Sequence, residues 1–171
     1  MSAEARAIVL VLYSNADRWL TKAIECDPRM MAELGGPITP EQASAVHRRR
    51  LATTASDPWW FKIAVGADRA AAGMIGIWPS EHGGERIDEV GWMVLPTFQG
   101  RGIASGALDL LLERARAEPR FERLHAFPAV TNAPSNALCR KLGFVNLGEC
   151  DIRFRDRRLR CHHWELTLHG G

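Results

Sequence analysis

Residues 95–118 constrain the fold more than any other stretch. Leu95-Pro96-Thr97-Phe98-Gln99-Gly100-Arg101-Gly102 leads out of an apolar segment directly into a helical pattern that runs from Gly102 to Glu118. There Ile103, Ala107 and Leu111 recur at four-residue spacing beside Ala104, Leu108, Leu112 and Ala115. Asp109, Glu113, Arg114 and Arg116 occupy the opposite side, and Pro119 stops the pattern. A helix set between two strands makes a crossover and brings parallel pairing, so the chain cannot be a simple meander.

The remaining segments fill in an order around that unit. Arg6 to Tyr13, rich in Ile, Val and Leu, reads as a first buried strand. Asn15 or Asp17 caps a helix carrying Trp19, Leu20, Ala23 and Ile24, which Gly35-Gly36-Pro37 breaks. Thr39 as N-cap, Pro40 in the first turn and Gln42 three residues on predict a capping box and a second helix to about Ala52, ending before Asp57-Pro58. Trp60–Val65 and Ala71–Trp78 read as strands joined by a turn, and Arg86–Leu95 follows the polar loop Pro79–Gly84. Leu124–Val130 is a strand, Ala133–Leu142 a short helix, and Val145–Phe154 with Leu159–Leu168 a closing pair. The expected order is β-α-α-β-β-β-α-β-α-β-β: an α/β (α+β) fold with a mixed, mostly antiparallel central sheet and helices on both faces.

Composition sets limits without naming a function. With 171 residues and no linker or repeat, one domain over 1–171 is expected. A net charge of +2 gives no argument for nucleic acid or a membrane as partner, and neither is expected. Ile8–Leu12 is far too short to span a bilayer, and Glu4 beside Arg6 leaves no basic start, so no signal peptide and a cytoplasmic location are expected. Cys26, Cys139, Cys150 and Cys161 form no C-x-x-C pair and read as reduced thiols. His162-His163 lies near Cys161, but neighbours in a strand point to alternating faces, so no metal site is expected.

The loop before the central helix carries the chemistry. A helix start leaves backbone N–H groups without intrahelical partners and holds about half a positive charge. Gly100 and Gly102 remove side chains that would keep a ligand away, which suits a pyrophosphate. There is no G-x-x-x-x-G-K-[S/T], and the spacing is not G-x-G-x-x-G, so neither a P-loop nor a Rossmann turn is present. A loop that only turns the chain remains the plain alternative. Near the end, Asn132 as N-cap would accept from Ser135, because Pro134 has no N–H. Gly143 fits the left-handed position after that helix, with Phe144 folding back onto Leu138 or Cys139.

Gln99-Gly100-Arg101-Gly102-Ile103-Ala104 resembles the Q/R-x-x-G-x-G/A signature of the GNAT acyltransferases. Asn132-Ala133-Pro134-Ser135-Asn136-Ala137-Leu138-Cys139-Arg140-Lys141-Leu142-Gly143-Phe144 is similar to the same family's N-x-x-S/A-x-x-L-x-x-K-x-G-F helix. The two stand in the family's order, within an element order that also matches. The resemblance implies a GNAT-like fold and an N-acetyltransferase using acetyl-CoA as cosubstrate, with a loose likeness to the branch that includes ribosomal-protein acetyltransferases. It implies that Gln99, Gly100, Arg101, Gly102, Ile103, Ala104 and Ser105 hold the pyrophosphate, chiefly through main-chain N–H groups. Met93, Val94 and Leu95 would meet the pantetheine amides and thioester carbonyl, and Asn132 and Ser135 would line the cofactor's other side. The acetyl group would lie between the strand at Val94 and the strand at His125.

Amine acetylation requires a proton acceptor. Glu89 is the first candidate, on the strand that leads into the cofactor loop and sharing a face with Ile87, Gly91 and Met93. His125, on the neighbouring strand, is the second. Many GNAT proteins have a Tyr after the Leu of the second motif, able to protonate the departing thiolate. Here that position is Cys139, and the single tyrosine is Tyr13 in the first strand. Cys139 is therefore a candidate acid, although a small core residue is the favoured reading. Arg153, Arg155, Arg157, Arg158 and Arg160 crowd the final hairpin, either as a solvated turn or as a basic rim for an acidic ligand. Trp19, Met30 and Met31 fall where the family shapes its acceptor pocket. A small-molecule amine and a protein N-terminus both remain open as acceptors, as does a homodimer. The alternative is a non-catalytic acyl-CoA-binding scaffold acting as a sensor or partner-binding module.

Overall fold

In the computed structural model, which describes residues 8–57 and 59–169, the expected elements fall in the expected order. Strand β1 is Val9–Leu12, followed by a 3-10 turn, Asn15–Asp17, and helix α1, Arg18–Glu25. Helix α2 is Pro40–Ser56, and β2 (Trp60–Val65), β3 (Ala70–His82) and β4 (Glu85–Val94) follow. Then come α3 (Ile103–Arg116), β5 (Arg123–Ala126), α4 (Ala133–Lys141), β6 (Val145–Phe154) and β7 (Arg157–Thr167). The seven described strands are ordered β1-β2-β3-β4-β5-β7-β6. Pairing is antiparallel for β1–β2, β2–β3, β5–β7 and β6–β7 and parallel for β4–β5, so the sheet is mixed and mostly antiparallel. No described helix is long and apolar enough to cross a membrane.

Several boundaries differ from the sequence reading. Arg6 and Ala7 of the expected first strand, and Pro58 after the second helix, lie outside the described residues. The expected loop Pro79–Gly84 is mostly strand. The β2 ladder ends at Trp60↔Gly76, so Pro79 lies beyond it and its missing N–H costs no ladder bond on that side. The fifth strand stops at Ala126 rather than Val130, because Pro128 cannot donate. The chain still runs beside β7, with Val130 N donating to Arg160 O and His162 N to Pro128 O, both at 3.0 Å.

Two compact units are present. The first holds residues up to 32, 36–76 and 92–111. Leu10, Leu20, Ile24, Met31, Ile63, Met74, Ile75, Ile103 and Leu108 are buried in it, each contributing about 1.5–3 kcal/mol through removal from water. Polar groups buried there are matched. Asp17 at the start of α1 takes Lys62 Nζ at 2.6 Å and Ser14 N at 2.8 Å. Glu25 takes Arg50 at 2.6 Å, whose guanidinium also lies 4.9 Å from the Trp60 ring. The capping box of α2 forms as expected, with Gln42 N donating to Thr39 Oγ1 and Thr39 N to Gln42 Oε1.

The second unit holds residues 33–35, 77–91 and those from 112 on. Leu112, Phe121, Leu124, Cys139, Phe144 and Trp164 are buried in it. Asn136 ties its parts together: Nδ2 donates to Ala129 O at 2.9 Å and Asn132 O at 2.8 Å, while Oδ1 accepts from Trp164 Nε1 at 2.8 Å. Asn136→Ala strands the buried indole N–H of Trp164, while the Ala129 and Asn132 carbonyls keep the main-chain N–H groups of Asn132 and Asn136. A stability loss of about 2 kcal/mol is expected, read as a lower urea midpoint at unchanged slope. A midpoint within error of wild type would show that these bonds contribute nothing net.

Candidate active site

The strand-to-helix junction in the first unit is built as the glycines require. Pro96–Phe98 makes a 3-10 turn after β4, and Gly100 and Gly102 sit at φ +72° and +77°, where other residues are strained. A Cβ on either would meet nothing within 4 Å, so the space above both is open. At the start of α3, Gly106 N donates to Gly102 O at 3.0 Å. Ile103, Ala104 and Ser105 precede that donor and open α3, with Ile103 and Ser105 buried and Ala104 half-buried.

Side chains around the junction are spent on holding the loop. Gln99 Nε2 donates to Val94 O at 2.8 Å and lies 3.7 Å from Met30 Sδ. Arg101 Nη1 reaches Thr97 O at 3.4 Å, with its guanidinium 5.5 Å from the Phe98 ring. Leu95 N donates to Ala72 O on β3 at 2.8 Å. The carbonyl of Met93 lies so close to Gly73 that a Cβ there would be 2.0 Å away. Met93 and Leu95 thus turn their main-chain groups toward β3. Alternate residues face opposite sides of a strand, so Val94 faces away, its carbonyl already taken by Gln99.

Within the second unit Glu89 and His125 are register partners across the parallel β4–β5 pair. Glu89 is half-buried, and burial pushes its carboxyl above the usual carboxylate range against the opposing pull of hydrogen bonds from Ser80 and Trp78. The Trp78 ring lies over Gly91, where a Cβ would stand 2.6 Å from Cη2. His125 is 8% exposed, and burial lowers its affinity for a proton, partly offset by Glu165. Asn132 caps α4 through Ser135 N at 3.2 Å, as the sequence predicts. Phe144 N reaches Cys139 O at 3.0 Å and Gly143 N reaches Arg140 O at 3.3 Å, closing the helix end as a Schellman motif.

Other expectations separate into core and surface. Cys139 is 0% exposed, and burial pushes its thiol up to about 12, a poor proton donor at neutral pH. Tyr13 is also buried, bonded to Thr21 at 2.5 Å and to His47 Nδ1. Met31 is a core residue with no exposed surface, whereas Met30 lies against Gln99. Trp19 is 54% exposed beside a shallow depression lined by Arg18, Lys22, Pro40 and Ser44, none of them a candidate site residue. In the arginine hairpin Arg158 pairs with Asp151 at 2.5 Å and Arg160 with Glu149 at 3.0 Å, which favours the solvated-turn reading for those two. The described residues hold no His, Cys, Asp and Glu group suited to a metal ion.

Sequence reasoning missed Ser80 and Trp78 beside Glu89, and His163 and Glu165 beside His125. Strand alternation places His163 and Glu165 on one face, but only the β5–β7 pairing, His125↔Glu165, shows which neighbour they meet.

In the first unit, a strand end that feeds a glycine-opened helix start suits the phosphates of a cofactor; in the second, a carboxyl and an imidazole on adjacent strands suit proton transfer. The chain belongs to the GNAT acetyltransferases, since the family model described as "Acetyltransferase (GNAT) domain" matches residues 8–145. It is 34% identical over 65 residues to the uncharacterized N-acetyltransferase YnaD of Bacillus subtilis, a match spanning 38% of either protein. In fold it is similar to a GNAT-family acetyltransferase from Bacillus anthracis, with a TM-score of 0.77 and 19% identity over 95% of each chain. It is also similar to a Salmonella typhimurium acetyl transferase that modifies the N-terminal serine of a 50S ribosomal subunit protein. There the TM-score is 0.74 and identity 15%, over 94% of this chain and 95% of that one.

Proposed function

We propose that this protein transfers the acetyl group of acetyl-CoA to a primary amine, by direct attack within a ternary complex. The observation that carries this reading is the open space above Gly100 and Gly102 at the start of α3, where main-chain N–H groups suit the pyrophosphate. Gln99 and Arg101 serve by bracing the loop, since their side chains already contact Val94 and Thr97. The Val94 N–H is the main-chain group on β4 best placed to meet the pantetheine arm. Asn132 and Ser135 shape the α4 start. One domain over 1–171 is part of the proposal, and the family match covers residues 8–145 of it.

Glu89 receives the proton of the attacking amine, with His125 on the next strand as its neighbour. Direct attack is favoured over an acyl-cysteine intermediate, because Cys139 and Cys161 are buried, with burial pushing their thiols up to about 12 and about 11. Solvent or the incoming amine then protonates the CoA thiolate. Cys139→Ala is accordingly expected to hold kcat within about tenfold of wild type, since no obligatory acid is lost. A thousandfold fall at unchanged acetyl-CoA affinity would make Cys139 the acid.

The acceptor is a small-molecule amine or a protein N-terminus, and a screen of both kinds with acetyl-CoA, followed through free thiol release, tests the reading. Release that depends on one class of amine is expected. Tight acetyl-CoA binding without turnover on any amine would favour a non-catalytic scaffold.

A further inference from the structure

Three imidazoles meet next to the proposed base. His125 Nδ1 and His163 Nε2 lie 2.9 Å apart, a hydrogen bond in which one ring donates its N–H and the other accepts. His163 stacks on Phe127 with centroids 4.7 Å apart and 21° between planes. His82 closes on both rings, 4.7 Å from His163 and 4.9 Å from Phe127. His125 itself has little contact with solvent, whereas His163 and His82 are half-buried and reach it. On its other side, His125 Nε2 stands 3.9 Å from Glu165 Oε2, too far for a hydrogen bond.

Acetylation of an ammonium group forms one N–C bond, breaks the thioester C–S bond and leaves one proton over at neutral pH. That proton must leave a half-buried carboxyl before the next turnover. We propose that His163 is the outer half of a two-imidazole relay that carries this proton from the Glu89–His125 pair to solvent. His125 takes a proton at Nε2 and gives its Nδ1–H to His163 Nε2, and His163 releases its Nδ1–H to water. One proton enters and one leaves. Both rings then carry their hydrogen on the other nitrogen, and exchange with water resets them after product departs. The relay rests on acyl transfer as the function, and His163 acts through His125 as a positioning residue.

The surroundings suit a pair that is neutral at rest and charged only in passing. Burial lowers the proton affinity of both rings, His82 lowers it further for both, and His125 does so for His163. The groups facing the pair are Glu165 from β7, Arg123 from β5, Glu89 from β4 and His82 from β3, with Asp88 of β4 acting on His125 through its charge alone. Glu165 stabilises a passing imidazolium, while Arg123, 3.8 Å from Glu165, moderates that pull.

The test pairs kinetics with histidine titration. His163→Gln keeps a polar side chain but cannot pass a proton, so kcat should fall about tenfold or more with the acetyl-CoA KM unchanged. Imidazole in the buffer should restore part of the rate of His163→Gly, an effect that a packing role would not produce. In the wild-type protein, NMR titration of the ring C–H signals should give coupled, two-step curves for His125 and His163. A wild-type kcat and pH profile in His163→Gln, or independent one-step titrations, would overturn the relay. Absence of acyl transfer on every amine, with coupled titrations intact, would instead remove the acetyltransferase reading on which the relay's role depends.

Discussion

Glu89→Gln is expected to lower kcat by about a hundredfold or more, the usual worth of a general base, with acetyl-CoA affinity little changed. The amide keeps the size of the carboxyl and one of its two acceptor oxygens for Ser80 and Trp78, so the loss reports chiefly on proton transfer rather than on packing. The sign of the pH dependence follows from the same environment. A base works only when deprotonated, so the wild-type rate falls as pH drops through the Glu89 pKa. Burial has raised that pKa, so the acid limb should lie above the ordinary carboxylate range. In Glu89→Gln the limb should vanish along with most of the rate. An unchanged limb and near-normal kcat would pass the role to His125 or to solvent.

Gly102→Val is expected to abolish most of the stabilisation that CoA confers. Ligand at one hundred times its Kd adds about 2.7 kcal/mol to a protein that binds it only when folded. A valine at φ +77° is strained, and its branched side chain projects into the open space above the loop. The strain lowers stability with or without ligand, so the quantity to compare is the increment produced by CoA. Equal increments in the two proteins would remove the pyrophosphate assignment.

Local chemistry made much of this legible before any coordinates. The Thr39-Pro40-Glu41-Gln42 capping box, the amphipathic pattern from Ile103 to Arg116 and the Asn132–Ser135 cap each depend on residues within a turn or two of each other, and each is present. Misread segments depended on partners far along the chain. Pro79 looks like a strand breaker until the short β2 ladder leaves its edge unpaired. Met31 looks available until packing buries it. Gln99 carries a signature position, yet its contact with Val94 and Met30 comes from the way the loop turns back on its own strand. The neighbours of Glu89 and His125 required the strand order, which places β7 between β5 and β6 against chain order.

Direct transfer is tested most plainly by initial rates measured while acetyl-CoA and an accepted amine are both varied, with mass spectrometry of the enzyme after acetyl-CoA alone. Double-reciprocal lines that intersect, and an enzyme that gains no acetyl group, are the predicted result. Parallel lines with an acetyl group retained on the protein would mean a covalent intermediate and would contradict the mechanism proposed for this fold.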